Sequence, residues 1–82
     1  MSGRETVLLT PIEFRLLATL LERSGEVVTR VELAAEAWGR ADLASSRTID
    51  AHLRRLRTKL ARGPAWTPRV VVVHGRGYLL EP

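Results

Sequence analysis

The chain holds 82 residues, 45 % hydrophobic and 27 % charged, which suits one small soluble domain and leaves no room for a deep substrate cavity. It has no cysteine, so disulfides and thiolate chemistry are excluded, and no apolar run nears the roughly 18 residues of a membrane span. The formal charge of +4 is unevenly placed: residues 1–46 carry five arginines against seven acids, residues 47–82 seven arginines and one lysine against two. A basic rear half predicts an anionic partner, and arginine forks suit phosphate or guanine. Residues 1–10 contain no signal peptide, so the expected compartment is the cytoplasm.

In chain order, "TVLL" at residues 6–9 predicts a short edge strand. "TPIE" at residues 10–13 predicts a helix start, with Thr10 as N-cap, Pro11 at the first position and Glu13 closing a capping box. Phe14, Leu17, Leu20 and Leu21 follow at helical spacing as its apolar face, and Gly25 supplies the stop. Val27 and Val28 allow only a small strand. "TRVE" at residues 29–32 repeats the capping box, Leu33, Ala34, Ala37 and Trp38 form the next apolar stripe, and Gly39 ends it.

After a loop over residues 40–45, Ser46 is the expected N-cap of a third helix, with Asp50 near its positive end. Gly63 and Pro64 end that helix. "RVVVV" at residues 69–73 and "YLL" at 78–80, joined by "HGRG", predict a β-hairpin. The fold class is therefore α+β: a short strand, three helices and a terminal hairpin.

The third helix carries the functional signal. At about 100° per residue, Ile49, Leu53, Leu56 and Leu60 fall within roughly 60° of one another. Arg47, Ala51, Arg54 and Thr58 lie opposite, with Arg55 and Arg62 beside them, and Arg57 shares a flank with Asp50. A merely solvated helix alternates its charges, whereas here only Asp50–Arg54 has the stabilising spacing. Long basic forks interleaved with small residues let a helix approach a surface closely, as a major groove about 12 Å wide requires. His74 and Arg76 stand on the glycine-hinged hairpin tip, where a cationic side chain can enter a narrow minor groove.

Three stretches, "LTPIEFRLLATLLERSGEVVTRVELAAEAWG", "SRTIDAHLRRLRTKL" and "VVVHGRGYLL", in this order and spacing, resemble the winged helix-turn-helix output domain of OmpR/PhoB-type response regulators. The resemblance runs from about residue 7 to residue 80. It implies one DNA-binding domain over residues 1–82, lacking the family's receiver domain and most of its N-terminal sheet. It also implies a bacterial two-component phosphorelay, and promoter DNA with direct repeats bound by head-to-tail pairs of a chain that is monomeric alone.

Arg47, Thr48, Ala51, Arg54, Arg55 and Arg57 resemble the family's base- and phosphate-contacting positions, and Tyr78 its wing tyrosine, which supports a phosphate contact. His74 stands where the family usually has a wing arginine, with Arg76 in the variable position between the glycines. The loop that begins Gly39, Arg40, Ala41, Asp42, Leu43 matches the segment that touches RNA polymerase. No cofactor is expected, and an enzyme is not: two histidines, no cysteine and no clustered carboxylates give neither a metal site nor a nucleophile–base pair. The competing readings are a winged helix for structured RNA and a protein–protein module.

Overall fold

Two reciprocal caps fix where the first helices begin. The structure, a computed structural model, describes residues 7–40 and 47–81. Helix α1 spans Pro11–Glu22, α2 Arg30–Trp38 and α3 Arg47–Ala61; β1 covers Arg69–Val73 and β2 Gly77–Glu81. The Glu13 N–H donates to the Thr10 hydroxyl at 3.2 Å, and the Thr10 N–H donates to the Glu13 carboxylate at 2.9 Å. Thr29 and Glu32 do the same for α2, at 3.1 and 3.0 Å. Each box satisfies two amide donors that the helix cannot, and each cap contributes about 1 kcal/mol. At the other end of α2 the Gly39 N–H donates to Ala35.

The three helices enclose one core. Leu16 and Leu20 from α1 meet Leu33, Ala34 and Ala37 from α2 and Ile49, Leu53, Leu56 and Leu60 from α3. Val28, Val70, Tyr78 and Leu80 close it from the hairpin side. Each fully buried Leu or Ile contributes about 1.5–3 kcal/mol of transfer free energy, so the aliphatic stripe of α3 is a principal anchor of the domain.

β1 and β2 pair antiparallel, Val72 opposite Tyr78 and Val73 opposite Gly77. Val28 extends this sheet by one bridge: its N–H donates to Tyr78 at 2.8 Å and its carbonyl accepts from Tyr78 at 2.9 Å. Gly25 adds a bond to the Leu80 carbonyl at 3.0 Å. The hairpin is thus sewn to the segment entering α2. Gly77 sits at the seam with φ 153°, where a Cβ would fall 2.2 Å from the Val28 carbonyl oxygen.

Several expectations need correction. Residues 7–9 form no strand; Val7 and Leu9 pack partly buried against the core, while Val28 takes the bridge to β2. On α1 Leu20 is buried and Leu17 partly buried as expected, but Leu16 joins them in the core, whereas Phe14 and Leu21 are 62 % and 51 % exposed. The reason is Glu13: its carboxylate is buried, and that turns the helix so the next residue points out. Helix α1 ends at Glu22, short of Gly25. Gly63 serves close packing, since a Cβ there would meet a Val7 methyl at 2.8 Å. Ser46, the expected N-cap, lies outside the described residues, as does Thr6.

Candidate nucleic-acid interface

Helix α3 has two unlike faces. Ile49, Leu53 and Leu56 have no solvent exposure and Leu60 almost none, which fixes the helix's rotation about its axis. Arg47, Thr48, Ala51, Arg54, Arg55, Arg57 and Thr58 are consequently exposed, as the wheel requires. Ala51 and Thr58 leave low ground between the arginines, so the backbone can come close to a partner.

The charges of this face differ from those elsewhere in the chain. Arg23 pairs with Glu26 and Glu32, Arg30 with Asp50, Lys59 with Glu13 and Arg69 with Glu81. Among the described residues Arg47, Arg54, Arg55, Arg62 and Arg76 make neither an ion pair nor a side-chain hydrogen bond, whereas Arg15 and Arg57, also without an ion pair, donate to the Ala37 and Val70 carbonyls. Those five unpartnered cations, four on or beside one helix and one on the hairpin tip, together with Arg57 form a field that only an external anion neutralises.

The hairpin flanks that face. A groove of about 440 Å³ runs between α3 and β1, lined by Arg54, Arg57, Thr58 and Arg69. Arg57 is fixed there, its Nε donating to the Val70 carbonyl at 3.1 Å. The structure therefore turns Arg57 toward the hairpin, away from the centre of the outward face. His74 and Arg76 are exposed at the tip, where the Arg76 N–H closes the turn on Val73 at 2.9 Å.

Tyr78 is placed differently from its neighbours at the tip. It is buried, 7 % exposed, and its hydroxyl donates to Asp50 Oδ1 at 3.3 Å. Arg30 Nη2 binds the same oxygen at 2.8 Å. Burial raises the Tyr78 phenol above its ordinary value, and the nearby Asp50 charge raises it further, so the group is a neutral donor at physiological pH. This network joins the start of α2, the first turn of α3 and the hairpin. Asp50 pairs across the fold with Arg30, not along α3 with Arg54.

The opposite flank of α3 is tied to α1. Glu13 is fully buried, and its Oε1 accepts from Lys59 Nζ at 2.5 Å. Burial pushes its carboxyl up, but the Lys59 ammonium and the Thr10 N–H outweigh it and hold it below the usual glutamate range. His52 stacks obliquely on Trp38, ring centroids 5.5 Å apart. Among the described residues no three His, Asp or Glu side chains stand close enough to hold a metal ion, and no helix is long and apolar enough to cross a membrane.

Of the residues matched to a polymerase-contacting loop, Gly39 and Arg40 are described and exposed, while Ala41, Asp42 and Leu43 lie outside the described residues. Sequence reasoning missed Arg30 and Lys59 as the partners of Asp50 and Glu13. Both partnerships cross more than one element, and no local spacing signals them.

Comparison with known proteins agrees with this geometry. Residues 3–80 match the family described as "Transcriptional regulatory protein, C terminal". The sensory transduction protein RegX3 of Mycobacterium tuberculosis is 40 % identical over 77 residues, covering 94 % of this chain and 34 % of RegX3. The KDP operon transcriptional regulatory protein KdpE of Escherichia coli is 41 % identical over 76 residues, covering 93 % of this chain and 34 % of KdpE. The chain thus spans about a third of the curated relatives it matches. Among solved structures, the DNA-binding domain of Klebsiella pneumoniae RstA in complex with the RstA box superposes with a TM-score of 0.80 at 30 % identity, covering 100 % of this chain and 81 % of that one. The DNA-binding domain of E. coli CpxR gives 0.75 at 37 % identity, covering 92 % and 74 %. Three helices, a C-terminal hairpin and an arginine-bearing third helix, matched over nearly the whole chain, are those of a transcription-regulator domain and not of an enzyme: the chain belongs to the winged-helix DNA-binding output domains of OmpR/PhoB-type response regulators.

Proposed function

We propose that this domain binds duplex DNA with sequence preference, α3 entering the major groove and the hairpin acting as a wing at the adjacent minor groove. The observation that carries the reading is the unpaired set Arg47, Arg54, Arg55, Arg62 and Arg76 around a helix whose other side is locked in the core. Arg47, Arg54 and Arg55, with Thr48, Ala51 and Thr58, face the bases and their phosphates. Arg57, held against the wing, acts as a phosphate clamp at the groove edge, and Tyr78 supports that edge from within. The exposed tip, His74–Arg76, supplies the minor-groove contact.

The relatives support the context. RstA and AdeR domains are solved bound to the RstA box and an intercistronic region respectively. By that likeness the domain reads promoter DNA as head-to-tail pairs on direct repeats, in the cytoplasm, as the output of a two-component regulator. The loop beginning at Gly39 and Arg40 faces RNA polymerase in the same reading.

Selection from a random duplex DNA pool, followed by competition with duplex RNA, tests this. A recovered consensus with half-sites about one helical turn apart, resisted poorly by RNA, is expected, because A-form RNA hides the groove that α3 fits. Equal competition by RNA, or no enriched sequence, would overturn it.

A further inference from the structure

Asp50 is the one acid within α3, and it stands in the first turn between Arg47 and Arg54. A half-buried carboxylate beside a face meant for phosphates weighs most on complexes in which phosphates approach it in any register. Its value as a complement to the helix dipole is small and does not account for it at a polyanion interface. What it holds does: Arg30 Nη2 at 2.8 Å and the Tyr78 hydroxyl at 3.3 Å, both on one oxygen.

Arg30 opens α2, and its guanidinium is half exposed, 49 %, in a groove of about 390 Å³ that also runs past His74 and Arg76. Without Asp50 it would be a sixth cation beside the wing, free to find any phosphate. We infer that Asp50 is a specificity-determining residue, which withholds Arg30 from the DNA backbone and sets the angle between α3 and the wing through Tyr78. Specificity is a difference of affinities: base contacts hold the selected complex in one register, whereas a freed Arg30 would strengthen complexes in any register, so cancelling it lowers chiefly non-specific binding. Tyr78 makes the same carboxylate a spacer. Its ring lies in the core and its backbone is bonded to Val28, so the hydroxyl reports a fixed wing position to the first turn of α3.

The inference rests on the duplex-DNA reading above, and the two fail separately. A wild-type chain that binds no duplex removes that reading. Wild-type binding with an unmoved preference in Asp50→Asn removes only this one.

The experiment compares wild type, Asp50→Asn and Arg30→Gln/Asp50→Asn on the selected duplex and on a scrambled duplex of equal length, across a salt series. Asp50→Asn keeps the shape and an Oδ1 that accepts from Tyr78, but leaves the Arg30 charge uncancelled. Its affinity for the scrambled duplex is expected to rise about 3–10-fold, with a salt slope steeper by about 0.9, the release of one more counterion. Preference for the selected duplex falls by the same factor, about 3–10-fold. Adding Arg30→Gln returns the slope to the wild-type value, because the extra cation is gone.

A purely structural Asp50 gives another pattern: both affinities fall together, the slope stays, and the melting temperature drops. That pattern overturns the inference. Should Asp50→Asn not fold, the double variant decides. A scrambled-duplex slope and a preference for the selected site both near wild type uphold the inference, and a reduced preference at an unchanged slope overturns it. A slope shallower by about one unit shows that Arg30 already touches phosphate in the wild type, and overturns it.

Discussion

Replacing Gly77 by alanine strikes the point where the wing joins the rest of the domain. An alanine Cβ would lie 2.2 Å from the Val28 carbonyl oxygen and 3.0 Å from the Thr29 Cα, both backbone atoms that cannot rotate away. Relief requires the wing to lift, which lengthens the two Val28–Tyr78 bonds of 2.8 and 2.9 Å. Losing both costs about 1–3 kcal/mol. Holding a residue with a side chain at φ 153° costs about 1–3 kcal/mol more. The expected destabilisation is therefore about 2–6 kcal/mol, a large part of a small domain's total. Gly75→Ala is the control: its φ is also positive, 76°, but nothing stands within 4 Å of the added methyl, so strain alone of about 1–2 kcal/mol is expected. Urea melts of the two variants give the comparison, read by far-UV circular dichroism with equal slopes. If Gly77→Ala melts within about 0.5 kcal/mol of Gly75→Ala, the docking described for the wing is wrong.

Three further outcomes follow from the same contacts. Lys59→Ala leaves the Glu13 carboxylate buried without its cation and should cost about 2–3 kcal/mol at neutral pH, less than a fully enclosed pair because water reaches Lys59. Since the folded Glu13 pKa is depressed, its contribution is present above the ordinary glutamate value of about 4.3 and lost as the pH falls further; the deficit of Lys59→Ala should accordingly shrink in acid, and a pH-independent deficit would contradict the pairing. Leu56→Ala should destabilise by about 2–5 kcal/mol through the cavity left beside Leu53 and Leu60, and a variant that stays stable while losing DNA would mean α3 is rotated. Arg55→Ala should weaken binding to the selected duplex by about 1–3 kcal/mol and relax one base position; weakening that is uniform across sequences would make it a phosphate contact.

The sequence made α3 legible because one helix carries two sharply different stripes, so periodicity alone fixes what is buried and what is not. The capping boxes at Thr10 and Thr29 were equally plain, being strictly local hydrogen-bond arrangements within four residues. Helix α1 misled for a physical reason. Phe14 and Leu21 look like core by hydrophobicity, but Glu13 takes the inward position because Lys59, on a helix 46 residues away, neutralises it. Tertiary pairing outweighed the local pattern. Tyr78 shows the same limit, for the sequence places it beside an exposed tip and gives no sign that its ring fills the core and its hydroxyl meets Asp50. What sequence could mark was the set of arginines; which of them have internal partners depends on contacts between elements.

The direct test of the interface is the affinity of the chain for its selected duplex across a salt series. If the guanidiniums of this face and the wing, the Arg57 clamp included, neutralise about five phosphates, log affinity against log salt has a slope of about −4 to −5. A slope near zero would mean that these guanidiniums do not meet DNA, and the account of α3 and the wing as a nucleic-acid surface would be contradicted.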